Sequence, residues 1–205
     1  MVSQLTGEVM SVTETVYYAH ESGQQIEIDS LAEKARVEYN NLGFKSKKTY
    51  FSQNDSLLYT AVGGFDKKGR RIKLEGYNSS GDLLDIATSK YNAKGLEKER
   101  SVYNIADDAI IEVVKFKYDQ RYGCVYEEHL DENGRLYSNV IYKFDSTHKS
   151  SSREEFFGTD KGILTNYKFL EYDKVGNWVK KLEFENNVLV RVTERQIFYL
   201  KQPIY

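Results

Sequence analysis

From Tyr39 onward the chain switches between short runs, in which apolar and polar side chains alternate, and brief polar clusters. A large apolar residue, most often aromatic, stands just before each cluster: Tyr39, Phe51, Phe65, Tyr77, Tyr91, Tyr103, Tyr118, Leu130, Phe144, Phe157, Tyr172 and Phe184. Their spacing alternates between legs of about 12 and about 14 residues, so two legs make a period of ~26, and a fixed period marks a repeated supersecondary unit. Alternation with period two is the pattern of a half-buried strand. The repeat unit is therefore predicted to be a β-hairpin.

The clusters carry turn chemistry. The residue after the apolar marker is Asn or Asp in nine of the twelve cases, Asn40, Asp66, Asn78, Asn92, Asn104, Asp119, Asp131, Asp145 and Asp173. Such side chains accept hydrogen bonds from backbone two residues on and so start turns. Three places further stands Gly43, Gly69, Gly81, Gly95, Gly134 or Gly176, while Asp55, Asp107 and His148 hold the same slot elsewhere, and Gly123 and Gly162 come one residue late. An Asx followed by a glycine at this spacing predicts a three-residue hairpin loop closed by a left-handed residue. Asn186-Asn187 predicts a tighter, two-residue turn.

Legs of even length tie sequence parity to one face of the sheet from Tyr39 to Tyr103. Even positions supply Phe44, Leu58, Val62, Ile72, Leu74, Ile86, Leu96 and Val102, whereas odd positions supply the aromatics with Arg71, Lys73, Glu75, Glu97 and Glu99. One aliphatic face and one aromatic, charged face are expected. Before Tyr39 the pattern is looser: Glu8–Tyr18 reads as one strand and Gln25–Ile28 as part of another, joined by a loop at His20–Gly23, and Leu31–Arg36 fits a helical turn, although Ala35–Tyr39 ends as a strand. Leu189–Leu200 forms a last long strand, with Pro203 in the tail beyond any ladder. The expected fold is an all-β antiparallel meander of about 12 or more strands, curled on itself or left as a single-layer open sheet. The expected organisation is a single repeat domain over residues 1–205, with residues 1–38 as looser N-terminal strands and 39–200 as the hairpin repeats.

Composition narrows the class. Hydrophobic residues make 40% of the chain and charged residues 29%, enough for a core but not for a thick, doubly covered one. The 17 Tyr and 10 Phe favour strands, where rings fit a pleated surface. Lys and Arg total 29 against 31 Asp and Glu, which is not the basic footprint of a nucleic-acid binder. The single Cys124 excludes an internal disulfide and is expected to be a packing residue beside a turn. No run of about 18 apolar residues offers a membrane-spanning helix. The N-terminus lacks the basic and apolar regions of a signal peptide.

Candidate chemistry is sparse. His20, His129 and His148 have no partner at metal-ligand spacing and are expected in surface or turn roles. Asp131-Glu-Asn-Gly134 invites a calcium reading but lacks the ligand spacing of a calcium loop, so its side chains are expected to cap their own turn. Alternation puts Glu97 and Glu99 on one face, the arrangement of a glycosidase pair, yet nothing in the sequence sets their environments apart, and a solvated face is the expectation. No nucleophile elbow, phosphate loop or dinucleotide fingerprint is present. No catalytic residue, metal or cofactor is assigned. The aromatic face alone carries functional weight, since exposed Tyr and Trp stack on sugars or anchor protein partners. Its candidate binding residues are Trp178, Tyr77, Tyr91 and Tyr103, Trp178 being the only tryptophan.

The turn-and-strand pattern of Tyr172-Asp-Lys-Val-Gly-Asn-Trp178 and Leu130-Asp-Glu-Asn-Gly-Arg-Leu136 resembles YD-type (RHS-like) and MORN-like hairpin repeats. Leu5-Thr-Gly-Glu-Val-Met-Ser-Val-Thr-Glu14 followed by Tyr17 resembles the entry segment of envelope proteins of Bacteroidetes-type bacteria that carry such repeats. The resemblance covers nearly the whole chain, but the spacing is not that of large RHS shells, the regular Gly-x-Gly of MORN repeats is missing, and no catalytic residue is carried over. It implies a secreted, periplasmic or outer-surface protein, lipid-anchored in some relatives once a signal is removed. The resulting expectation is a non-enzymatic repeat protein of the cell envelope that binds a protein or glycan through its aromatic, charged face. A polysaccharide hydrolase, or a structural module that assembles through unpaired sheet edges, are the alternatives.

Overall fold

The computed structural model describes residues 5–119, 123–144, 150–158 and 162–200. Asp145, His148 and Pro203 lie outside the described residues. All regular elements within them are strands: β1 (Val9–Ser22), β2 (Gln25–Tyr39), β3 (Lys45–Phe51), β4 (Leu57–Phe65), β5 (Arg71–Asn78), β6 (Leu83–Tyr91), β7 (Glu97–Asn104), β8 (Ala109–Asp119), β9 (Gly123–Leu130), β10 (Leu136–Phe144), β11 (Ser150–Phe157), β12 (Ile163–Tyr172), β13 (Trp178–Glu185) and β14 (Val188–Tyr199). Neighbours in sequence are neighbours in the sheet, and β1 pairs antiparallel with both β2 and β14. The strand order is therefore that of a closed barrel, not of the open sheet left as an alternative from the sequence. The physical reason is that a long twisted sheet has two costly edges, and pairing the first strand to the last removes both. Assembly through free edges has no strand to use.

Two further expectations at the N-terminus are corrected. Leu31–Arg36 is extended within β2, where Glu33 and Lys34 pair with Val16 and Thr15. The loop at His20–Gly23 shrinks to a turn at Gly23-Gln24, because β1 continues through Ser22 opposite Gln25.

The turns form as their chemistry dictates. In seven of them the leading residue, Asn40, Ser52, Asp66, Asn78, Asn92, Asp131 or Asp173, accepts through its side chain from the backbone N–H groups two and four residues on. The residue in the glycine slot is left-handed, with Gly95 at φ 78 and Asp55 at φ 61. Asn186 and Asn187 at φ 49 and 70 make the predicted tight turn. At the β7–β8 turn the left-handed residue is Asp108, one place after the expected Asp107.

A second feature of the hairpins was not expected. Within one or two pairs of nine of the turns, the returning strand holds an extra residue: Tyr91 pairs Glu97, but Lys90 pairs Glu99, leaving Lys98 unpaired. The same bulge falls at Ser46, Leu84, Ile111, Val125, Tyr137, Ser151, Val179 and Val190. An extra residue flips all later side chains to the other face. Past the bulge an odd residue pairs with an even one, as in the row Glu75, Ile86, Tyr103, Ile110. Parity therefore does not mark a face, and the expected separation into aliphatic and aromatic faces does not hold.

The chain divides into two compact units, one of Ala61–Leu164 and one of Val2–Thr60 with Thr165–Tyr205. In each unit the sheet has a buried face that mixes charge with aromatic rings. The aliphatic core is small: Ala19, Leu182, Leu189 and Val192 cluster with Phe184 against them. The largest fully buried side chains are only Val12, Val192, Thr165 and Ser11.

Candidate functional site

Trp178 opens β13 directly after the Asp173–Gly176 turn and pairs with Tyr172. It is only 7% exposed. The Arg195 guanidinium lies 3.3 Å from its ring centroid, and Phe169 packs at 5.5 Å. Arg195 donates from Nε to Glu14 Oε1 at 2.7 Å across the β1–β14 pair. Burial pushes the Glu14 carboxyl up, but the Arg195 charge and hydrogen bond together with the Lys45 and Lys48 charges hold the group below its ordinary value. Lys181, drawn down by burial, stands 3.5 Å from Glu183, which also accepts from Arg191 at 2.9 Å. A cation held over an aromatic face gains most where water is excluded. Trp178 is thus an internal strut rather than the exposed platform expected from sequence.

The Ala61–Leu164 unit has its own network. Arg100 forks onto Glu97 at 2.9 and 2.7 Å, Ser89 donates to the same carboxylate at 2.5 Å, and Phe116 lies under the guanidinium at 5.1 Å. His129 stands between two carboxylates, with Nδ1 2.8 Å from Glu112 and Nε2 3.5 Å from Glu127. The hydrogen bond to Glu127, then that to Glu112, raises the imidazole above its ordinary value, against the effect of burial. Burial acts to raise both carboxyls, yet the bond to His129 and its charge, joined by the Tyr137 bond at Glu112 and the Tyr142 bond at Glu127, hold each below its ordinary value. Tyr137 donates to Glu112 at 2.5 Å. Cys124 is buried, and burial followed by the Glu127 charge pushes its thiol up to about 11. It packs beside a turn as expected, and the raised value disfavours the nucleophilic thiolate.

The other candidate residues fall apart. Tyr91 lies on the buried face of the unit and donates its hydroxyl to the Arg71 carbonyl at 2.7 Å. Tyr77 and Tyr103 lie on the opposite, open face, where Tyr77 bonds Glu75 and Tyr103 bonds Asp108. The bulge at Lys98 also separates the two glutamates that sequence placed together: Glu97 faces Arg100 inside, whereas Glu99 pairs with Lys90 at 2.6 Å on the open face. They do not form a glycosidase pair. Asp131 Oδ1 is occupied by the N–H groups of its own turn, Asn133 and Arg135. His129 with its two carboxylates is the arrangement that sequence missed. Glu127 and His129 sit two apart on one strand, but Glu112 joins them only through the bulged β8–β9 register.

The open face of this unit carries rungs of alternating charge. Lys90, Glu99, Lys115 and Glu128 form one cross-strand row, and the pairs Lys73–Glu75, Lys117–Glu128 and Lys143–Glu154 stand beside it. Large apolar side chains, among them Leu84, Ile110, Leu136 and Tyr137, are exposed toward the strand ends.

In the other unit, a groove of about 330 Å³ opens along the β1–β2 hairpin next to the β3–β4 turn. Bulges at Asp29 and Ala32 bend β2 there, so that Ser30 and Leu31 turn toward Thr15 and Tyr17 of β1. An ion pair from Lys34 to Asp55 ties the turn that carries Gln53 to β2.

No protein-family model and no curated protein matches the sequence. Among solved structures, a porin-like protein from Bacteroides uniformis is similar at a TM-score of 0.57 and 11% identity, over 96% of this chain and 99% of that one. A porin-like protein from Bacteroides vulgatus gives 0.48 and 12%, over 97% and 100%, and a LolA superfamily protein from Nitrosomonas europaea gives 0.33 and 8%, over 98% and 90%. The chain shares its fold with the first of these. At such identity the likeness extends to the fold alone.

Proposed function

We propose that this chain is a non-enzymatic, water-exposed binding protein of the bacterial cell envelope, which engages a protein or glycan through side chains on its open sheet face. One observation carries the reading: Glu97 with Arg100, Glu14 with Arg195 and His129 with Glu112 are paired within the protein, while half-buried Tyr77 and Tyr103 and exposed apolar neighbours stand beside rungs of Lys and Glu. A catalytic dyad needs two groups in unlike environments with a free position between them, and the internal pairs leave none. Exposed rings among interspersed charges are the composition of a recognition surface. An envelope location fits the fold shared with a porin-like protein of Bacteroides and the resemblance of the N-terminal segment. The rungs speak against a lipid-facing surface, because one Lys at the bilayer midplane of a β-barrel costs about 2–4 kcal/mol. The test is capture from envelope extracts and on a glycan array by wild type and by the double variant Tyr77→Ala, Tyr103→Ala. The variant should lose most of the captured signal at unchanged melting temperature. Equal capture by both proteins would remove this face as the site.

A further inference from the structure

We infer that the groove along the β1–β2 hairpin binds an uncharged saccharide. The inference deepens the proposed binding role and rests on it, but places recognition at a site separate from Tyr77 and Tyr103.

Three features of the groove converge. Its volume, about 330 Å³, lies at the small end of the range for ligand pockets, ~300–1,000 Å³, the size of a short glycan segment. Its walls combine a ring and two aliphatic side chains, Tyr17, Ile28 and Leu31, with the polar side chains of Thr15, Ser30 and Gln53. The C–H faces of a sugar ring pack on an aromatic ring while its hydroxyls seek neutral donors and acceptors, and this wall offers both.

The third feature is which groups remain free. Asp29 faces the His20 imidazole, with Nδ1 3.1 Å from Oδ1, and Lys34 is paired with Asp55. The Lys34 ammonium is thereby paired within the protein and the Asp29 carboxylate is engaged by the His20 ring, so an anionic ligand finds no free cation at the groove. Among the described residues, the side chains of Thr15, Tyr17, Ser30 and Gln53 carry no hydrogen bond of their own. Four unspent neutral groups around one concavity make a site for a neutral polyhydroxylated ligand. The bulges at Asp29 and Ala32 then have a use, since they curve an otherwise straight hairpin into a wall.

The experiment is an amide-resolved NMR titration of the full chain with cellotriose, maltotriose and chitotriose, and with trigalacturonate as the charged comparator. A neutral sugar should shift amides of Thr15, Tyr17, Ser30 and Gln53, and trigalacturonate should bind more weakly. Tyr17→Ala should weaken the dissociation constant about tenfold, since an aromatic contact is lost. Gln53→Ala, on an exposed turn where folding is not at stake, should weaken it by a factor of about three. The inference is overturned if no neutral sugar shifts these amides at 10 mM-scale concentrations, near the weak limit of specific binding. It is equally overturned if both variants bind as wild type does, or if trigalacturonate binds most tightly. Loss of capture by the Tyr77, Tyr103 double variant with no sugar binding would sink the groove alone; sugar binding with unchanged capture by that variant would sink the open face alone.

Discussion

His129 shows what a single side chain does when two carboxylates hold it. Its raised pKa means that the folded state binds the proton more tightly than the unfolded chain, so this contribution is complete below the ordinary imidazole value, ~6.5, and is lost as pH rises through the folded value. Glu112 and Glu127 are lowered, so theirs is complete above the ordinary carboxylate value and is lost as pH falls from there through the lowered folded value. Stability measured as urea midpoints should therefore peak between about pH 5 and 6.5 and decline on both sides. His129→Gln should lower the peak by about 1–2 kcal/mol and flatten the alkaline decline. An unchanged alkaline limb in the variant would assign that limb to another group. Arg195 offers a sharper case, being 5% exposed against Glu14. Arg195→Met strands a buried carboxylate and should cost about 3–5 kcal/mol, while adding Glu14→Gln should restore much of it. The double-mutant cycle reads the coupling directly, and additive losses would mean that the pair is not a unit.

At the scale of the element, the turns were legible and the bulges were not. Asn92 and Gly95 announce their turn because each does its work within five residues, through a local hydrogen bond and a left-handed backbone. Lys98 carries no such mark: it is an ordinary exposed lysine whose neighbours decide that it stays unpaired. Reading Glu97 and Glu99 as one face, or the aromatics as one surface, failed for that reason alone. The strands themselves were legible from alternation, apart from the extended Leu31–Arg36. The candidate site was less so, because Trp178 was judged by its rarity and not by Arg195, a partner brought to it by strand pairing. Two changes at one bulge separate composition from register. Lys98→Ala should alter stability by no more than about 0.5 kcal/mol, as a surface substitution does. Deleting Lys98 moves Glu99 and Ser101 toward the buried face and Arg100 away from it, and should abolish cooperative unfolding of that unit in circular dichroism melts. A deletion as stable as the substitution would show that the bulge does not set the register.

For the molecule as a whole, the cyclic strand order and the charged open face bear on which solvent the protein meets. Closure was not readable from sequence, since the partner of β1 lies at the far end of the chain and no local pattern names it. The shared fold with a porin-like protein raises the question of a membrane, and the charged rungs are what support the proposed water-exposed reading. A lipid-facing barrel alternates apolar outward with polar inward. Here Lys90, Glu99, Lys115 and Glu128 form a row on the open face, while Arg195, Glu14 and Lys181 lie within. A closed strand order whose charged open face meets water and a partner is the proposed reading. Flotation of the refolded chain with phospholipid vesicles, without detergent and with folding followed by circular dichroism, tests it most directly. The account predicts a folded β spectrum in buffer, with the protein left in the vesicle-free fraction. Folding only in the presence of vesicles, with the protein carried up among them, would contradict it.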